Sequence, residues 1–351
     1  MTIMINKKEY PLRTLDTGAQ ELSKKRWDSI AKPLHSLGKM EDLVIQTAGI
    51  TGDANVTYDK KALIVMCADN GVVAEGVTQS EQNVTAIVSE NFLSDKATAA
   101  ILCKQTGAEI FPIDIGIAVD TKLENHKIAY GTKNMAKEPA MTREEAERAM
   151  EVGIEKVREL SEQGYKIIAT GEMGIGNTTT SSALASYFLQ EDVEKMTGRG
   201  AGLTSKALEK KIAVVRKAIA DYSPAFTDAI DALAALGGFD IAGMAGVFLG
   251  GAIYRVPIVM DGFISSTAAL TATRICPACK DFIMASHVSK EPAAEKILAA
   301  MDKEAALHCD MCLGEGTGAV TLFPILDLAT QIYEQMSTFE DIEIDAYVEL
   351  K

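Results

Sequence analysis

Ala62-Leu63-Ile64-Val65-Met66-Cys67 is an unbroken apolar run, followed at once by Ala68-Asp69-Asn70-Gly71-Val72-Val73. A strand that is apolar at every position, not at alternate ones, is covered on both faces, as inside a parallel sheet. Polar residues just past the carboxyl end of such a strand stand where open α/β sheets bind ligands. The same unit recurs along the chain. Residues 109–115 read as a second strand ending in Asp114-Ile115-Gly116, and 165–170 as a third that delivers Gly171-Glu172-Met173-Gly174-Ile175-Gly176-Asn177. Residues 256–260 form a fourth, ending in Asp261-Gly262-Phe263, and 282–285 a short fifth leading to Ser286-His287-Val288-Ser289.

Helical patterns separate these strands. One follows the first strand with Glu81 in its opening turn, and another covers 97–106. A long helix runs from Thr142 to about 163, with Thr142 and Glu145 spaced as a capping box. Further helices cover 225–236, 240–253 and 292–306. Alternating strands and helices of this kind give an α/β fold, a mostly parallel Rossmann-like sheet flanked by helices. The ends of the chain read differently. Helices at 19–31 and 40–48 have no strand before them, so a smaller helical subdomain is expected from the N- and C-terminal parts. The expected divisions are 1–55, 56–300 and 301–351, the last carrying a C-terminal helix.

With 351 residues the chain can bury such a core, and its many Ala and Gly suit helices packed closely on a sheet. A formal charge of −14 makes nucleic acid or an anionic membrane an unsuitable partner, since both need a net cationic face. A small anion needs only local positive potential. Residues 241–254, the longest uncharged run after residue 240, are too short to span a bilayer and read as a buried helix. Residues 1–8 hold no apolar signal core, and the expected location is the cytoplasm.

Cys276-Pro-Ala-Cys279 and Cys309-Asp-Met-Cys312 have the spacing of zinc ligands. Zinc knuckles are tight and contain glycine, whereas the first pair lies in a run that continues helically. Small buried hydrophobes are the commoner reading, and no metal is expected.

Two glycine loops point to an anion. Gly171 to Gly176 follows a strand and opens a helix, which aims backbone N–H groups at a phosphate. A plain strand-to-helix turn is the alternative. Its spacing is G-x-x-G-x-G, without the Lys of a P-loop, and no G-x-G-x-x-G follows any strand, so a dinucleotide oxidoreductase is unsuitable. Gly198-Arg199-Gly200-Ala201-Gly202 precedes a helix capped by Thr204 and carrying Lys206, Lys210, Lys211 and Arg216, which is a cationic patch or a solvated face. Leu313-Gly314-Glu315-Gly316-Thr317-Gly318 sets one carboxylate among three glycines before an apolar helical pattern. On that stretch alone a turn is the commoner reading and a presented acid or base the rarer one.

Six loops, taken in order, resemble one family. They are Asp69 with Gly71-Val72-Val73 and Glu75-Gly76-Val77, Gly171-Glu172-Met173-Gly174 with Asn177-Thr178-Thr179, and Gly237-Gly238-Phe239-Asp240. Asp261-Gly262-Phe263, Ser286-His287 with Ser289, and Leu313 to Gly318 complete the set. Together they look like the nicotinate-nucleotide–dimethylbenzimidazole phosphoribosyltransferases, over about residues 20 to 340. These enzymes activate the lower ligand of cobamides, relatives of vitamin B12. The resemblance implies transfer of 5-phosphoribosyl from nicotinate mononucleotide to an aromatic base, with no cofactor, giving an α-riboside phosphate and nicotinate.

By that resemblance Glu315 is the general base. Gly174, Ile175, Gly176 and Gly200 give backbone contacts to phosphate, and Lys211 adds charge. Glu172 and Asp261 bind ribose hydroxyls, while Asn177, Asp240 and Ser289 belong to the nucleotide site. Ser80, Val88 and Leu313 line the pocket of the accepting base. Two positions depart from the family. Asn70 stands where His is common, and Val88 stands where benzimidazole-using members present Gln. A valine cannot hydrogen-bond to a ring nitrogen, so a phenol is an implied alternative acceptor. The family implies a homodimer, and some members that activate phenols are heterodimers of two related chains. The competing readings are a zinc-stabilised interaction protein without activity and a catalytically reduced partner subunit. An intact Glu315 argues against the latter.

Overall fold

The computed structural model describes residues 2–348 and opens on a strand pair where the sequence leads one to expect none. β1 (Thr2–Ile5) pairs antiparallel with β2 (Lys8–Pro11). The turn between them is Asn6-Lys7, both at positive φ, 48° and 64°. A two-residue hairpin turn needs that backbone, and Asn supplies it here without the Asn-Gly pair that marks such turns in sequence. α1 (Thr17–Ser29), capped by Asp16, and α2 (Lys39–Thr51) follow.

Six strands then form one parallel sheet. They are β3 (Lys61–Ala68), β4 (Ala108–Gly116), β5 (Glu124–Asn125), β6 (Ile167–Met173), β7 (Ile258–Met260) and β8 (Ile283–Ala285). Their order is β5-β4-β3-β6-β7-β8, and every pairing is parallel. β3 is buried at all of its positions, as its continuous apolar run requires. From β3 the chain moves outward through β4 and β5, then returns to the other side of β3 to lay down β6. That reversal opens a crevice beyond the carboxyl ends of β3 and β6, where sheets of this order bind ligands.

The crossovers and flanks are α3 (Val84–Asn91), α4 (Thr98–Thr106), α5 (Arg143–Glu162), α6 (Asn177–Leu189), α7 (Val193–Met196) and α8 (Ser205–Tyr222). α9 (Ala229–Leu236), α10 (Phe239–Tyr254), α11 (Phe263–Ile275), α12 (Ala294–Ala300) and α13 (Thr317–Gln335) complete them. α5 starts at the expected capping box, with Thr142 and Glu145 satisfying each other's backbone amides. α10 is buried from Phe239 to Ile253. Its glycines let it meet α5 backbone to backbone, since a Cβ on Gly246 would overlap the carbonyl of Met150. The hairpin docks on the same helix through Lys8 and Glu151.

α13 closes the fold against the N-terminal helices. The Trp27 ring lies 5.0 Å from Tyr333, whose hydroxyl donates to Ala54 O at 3.0 Å. Three helices differ from expectation. α9 starts at Ala229 instead of near 225, since Ser223–Ala225 form a separate 3-10 turn. α3 starts at Val84 instead of Glu81, and α12 ends at Ala300 instead of near 306, because residues 306 and 307 hydrogen-bond to Ala285 and Ser286 at the end of β8. Among the described residues no helix is long and apolar enough to cross a membrane.

Candidate active site

A cleft of about 330 Å3 lies at the carboxyl ends of β6, β7 and β8, under the loop that leads into α13. Glu315 lies in its wall. The backbone there is unusual, since Gly314, Glu315 and Gly316 take φ values of 89°, 62° and 81°. Three consecutive left-handed residues make a tight loop, and the middle one is not a glycine, which marks local strain. The loop is also pressed onto the sheet. A Cβ on Gly171 would stand 2.7 Å from the Glu315 carbonyl oxygen.

Burial raises the pKa of Glu315, aided by the negative charge of Asp261, while the Ala99 amide at the start of α4 favours its anion. Its Oε2 is shielded from solvent and has no hydrogen-bond partner among the described residues. A desolvated carboxylate with one unpartnered oxygen is equipped to accept a proton from a ligand.

Asp261, at the end of β7, fixes this loop. Its Oδ2 accepts from the Gly316 amide at 3.1 Å, and its Oδ1 accepts from Gly318 at 2.8 Å and Ala319 at 3.1 Å. Both oxygens are thus engaged with the first turn of α13, whereas the resemblance gives this residue to the ribose. His287 is a neighbour that the sequence placed in a motif without a role. It lines the cleft with Nδ1 3.9 Å from Asp261 Oδ1 and 3.0 Å from Ser286 Oγ.

Glu172 and Asp240 share a buried amide. Asn177 Nδ2 donates to Glu172 Oε2 and, at 3.1 Å, to Asp240 Oδ2. The Glu315 amide faces Glu172 Oε1 at 3.4 Å. Burial, and then the charge of Asp240, pushes Glu172 up to about 8, and burial pushes Asp240 up to about 6. Glu172 and Asn177 line the cleft, while Asp240 lies behind Asn177. Asn70 is fully buried, with its side-chain amide lying against Gly174 and Gly238.

Gly174, Ile175, Gly176, Thr178 and Gly200 form the glycine-rich edge of the cleft. Among the described residues no side chain caps α6, whose N-terminus opens here. The Ile175 amide is already used, donating to Thr85 Oγ1 at 3.1 Å. Lys211 stands behind this edge, fully buried, with Nζ donating to Thr178 Oγ1 at 2.9 Å and Gly198 O at 3.2 Å. Burial pushes it down to about 8.

Val88 and Leu313 line the cleft, together with Thr78, Met173 and Cys312, to which the sequence gave no role in a base pocket. Ser80 stands outside the lining, and its amide donates to Thr78 Oγ1 at 3.3 Å. Ser289 lines the cleft, and so does Glu291, which no motif drew attention to. Of the paired cysteines, Cys276 and Cys279 are buried while Cys309 and Cys312 are exposed. Among the described residues no group of three or more His, Cys, Asp or Glu is arranged to hold a metal ion.

Comparison with known proteins agrees with this geometry. A family model described as phosphoribosyltransferase matches residues 12–344. The nicotinate-nucleotide–dimethylbenzimidazole phosphoribosyltransferase of Clostridium acetobutylicum is 49% identical over 340 residues, 96% of this chain and 97% of its own. That of Acetivibrio thermocellus is 48% identical over 330 residues, covering 93% of this chain and 94% of its own. The crystal structure of CobT from Thermus thermophilus superposes with a TM-score of 0.89 at 34% identity, over 93% of this chain and 99% of that one. A match that runs nearly end to end, on a sheet whose strand ends converge on one glycine-walled cleft, makes this chain a member of that phosphoribosyltransferase family.

Proposed function

We propose that this enzyme moves the 5-phosphoribosyl group of nicotinate mononucleotide onto dimethylbenzimidazole, releasing nicotinate and forming the α-riboside phosphate of cobamide lower-ligand assembly. The observation that carries this reading is Glu315, a desolvated carboxylate held on a strained loop in the cleft wall.

The glycosidic bond breaks with its electron pair passing to the pyridinium nitrogen. That neutralises the ring, so nicotinate leaves without a proton from the enzyme. The acceptor's ring nitrogen attacks the anomeric carbon from the opposite face, which inverts β to α. The attacking nitrogen is the unprotonated one of the azole, and the N–H proton of its other ring nitrogen passes to Glu315. One carboxylate is therefore enough, unlike the pair that most glycosidases use. The amides of Gly174, Gly176, Thr178 and Gly200 take the phosphate, with Lys211 behind them. Glu172, Asn177 and Ser289 hold the ribose, and the base lies against Val88, Met173 and Leu313. Asp261 acts through the loop it anchors.

The test is nicotinate release on mixing the protein with nicotinate mononucleotide and dimethylbenzimidazole. Bound nucleotide with no release, with any aromatic acceptor, would overturn the reading. A phenol as acceptor is favoured by one feature, the aliphatic Val88 in the cleft lining, because a phenol carries a single O–H for Glu315 and needs no second partner. Competition between p-cresol and dimethylbenzimidazole decides between them.

The working assembly under this reading is a cytoplasmic homodimer, supported by the exposed apolar side chains Ile87 on α3, Leu93 in the turn after it and Ile101 on α4. Sedimentation of the purified chain tests it. An inactive monomer would point to a related partner chain instead.

A further inference from the structure

Glu291 lines the cleft yet has no part in the chemistry above. Its surroundings are specified by the loop before α8. Burial raises its pKa, and the Lys211 ammonium and the Gly200 amide, which faces its carboxylate, oppose that rise. Oε2 is shielded from solvent and has no hydrogen-bond partner among the described residues. A Cβ on Gly198 would overlap that oxygen and would also come within 2.9 Å of Pro292 Cδ. The 198–202 loop is therefore moulded around this carboxylate.

The groups that face Glu291 are those a phosphate would use. The Gly200 amide and the Lys211 charge belong to the anion-binding edge, with Thr178 joined to Lys211 at 2.9 Å. A phosphate entering here finds a carboxylate already among its donors. Two anions sharing one set of donors repel each other, and the resident one has to move or take a proton.

We propose that Glu291 is a built-in anion that engages the Gly200 amide and balances the Lys211 charge while the cleft is empty, and yields both to the phosphate of the phosphoribosyl donor. The inference rests on the phosphoribosyl reading of the cleft. A ligand with no charge at this end leaves the resident carboxylate in place, whereas a phosphate dianion, with more charge and three acceptor oxygens, displaces it.

The test compares wild type with Glu291→Gln and Glu291→Ala, both checked by thermal melting. Calorimetry measures binding of nicotinate mononucleotide, of nicotinate riboside, which lacks the phosphate, and of inorganic phosphate. Both variants are expected to bind the mononucleotide and inorganic phosphate about tenfold more tightly, because a like charge a few ångströms away is removed. The riboside should bind with unchanged affinity. Unchanged or weaker mononucleotide binding overturns the proposal. So does a gain seen with Gln alone, since that reports a new hydrogen-bond donor and not a vacated anion. Failure of the underlying reading looks different. Wild-type protein that binds neither the mononucleotide nor phosphate, with Lys211→Met making no difference, would refute the phosphoribosyl cleft itself.

Discussion

Asp261 Oδ1 accepts the backbone amide of Gly318 at 2.8 Å, so the carboxylate that ends β7 sets the first turn of the helix behind Glu315. A negative charge at a helix N-terminus is favourable, and here it satisfies amides that the helix itself leaves unpaired. Asp261→Asn keeps the shape while weakening all three contacts. The expected cost is about 1–3 kcal/mol of stability, with a fall in kcat that exceeds any rise in KM. Thermal melts and steady-state kinetics check both parts. An effect confined to KM would return Asp261 to the nucleotide.

Under the proposed reading, Glu315→Gln removes the proton acceptor and leaves the loop intact. Its kcat should fall by roughly 10^2–10^4-fold, the usual range for a general base, with mononucleotide affinity near wild type. The pH profile is a second readout. Burial holds the Glu315 pKa above its ordinary value of 4.5, and the residue works when deprotonated, so wild-type kcat/KM should rise with pH along a limb centred above 4.5. That limb should be missing from the residual activity of the variant.

Gly171→Ala tests how the loop is seated. The added Cβ meets the Glu315 carbonyl at 2.7 Å, which is too close for both to stay in place. Since misplacement of about 1 Å costs on the order of 10^2-fold in rate, kcat should drop by about that factor in a protein that still folds. Wild-type kcat would mean that the loop yields freely.

Glu172 gives stability a pH dependence of a definite sign. Burial first, and the Asp240 charge second, push it up to about 8 from 4.5. Below 4.5 folded and unfolded chains both keep the proton, and nothing is lost. Between 4.5 and 8 the unfolded chain releases it while the folded protein keeps it, so stability falls as pH rises. Melting temperatures of wild type should decline relative to Glu172→Gln across that window. Parallel curves would show that Glu172 is ionised in the folded protein at neutral pH.

Five of the six strands of the sheet were legible because each is announced locally, whereas the two-residue β5 (Glu124–Asn125) lies in a polar, turn-rich stretch. The run from Ala62 to Cys67 is apolar throughout, and the Thr142–Glu145 capping box lies within four residues. The tight glycine loop around Glu315 was legible for the same reason, since its glycines flank it directly, while a role for its carboxylate came only from the resemblance. What escaped notice depends on distant partners. The β1–β2 hairpin is two strands of four residues around a turn without glycine. The end of α12 is set by residues 306 and 307 pairing with β8, against a helical pattern that continues. Asp261 meets its amides 55 to 58 residues further along the chain. Glu291 and Thr78 are single polar residues in loops, and folding alone brings them to the cleft.

The φ of 62° at Glu315 sets the interests of folding and turnover against each other. An L-residue in that conformation is disfavoured by on the order of 1–2 kcal/mol, while glycine adopts it readily. Replacing Glu315 with glycine would relieve the backbone and remove a buried carboxylate, so the dead enzyme would be the more robust protein. Selection for heat resistance alone would therefore erode this position first, and any programme to harden the enzyme has to hold residue 315 fixed.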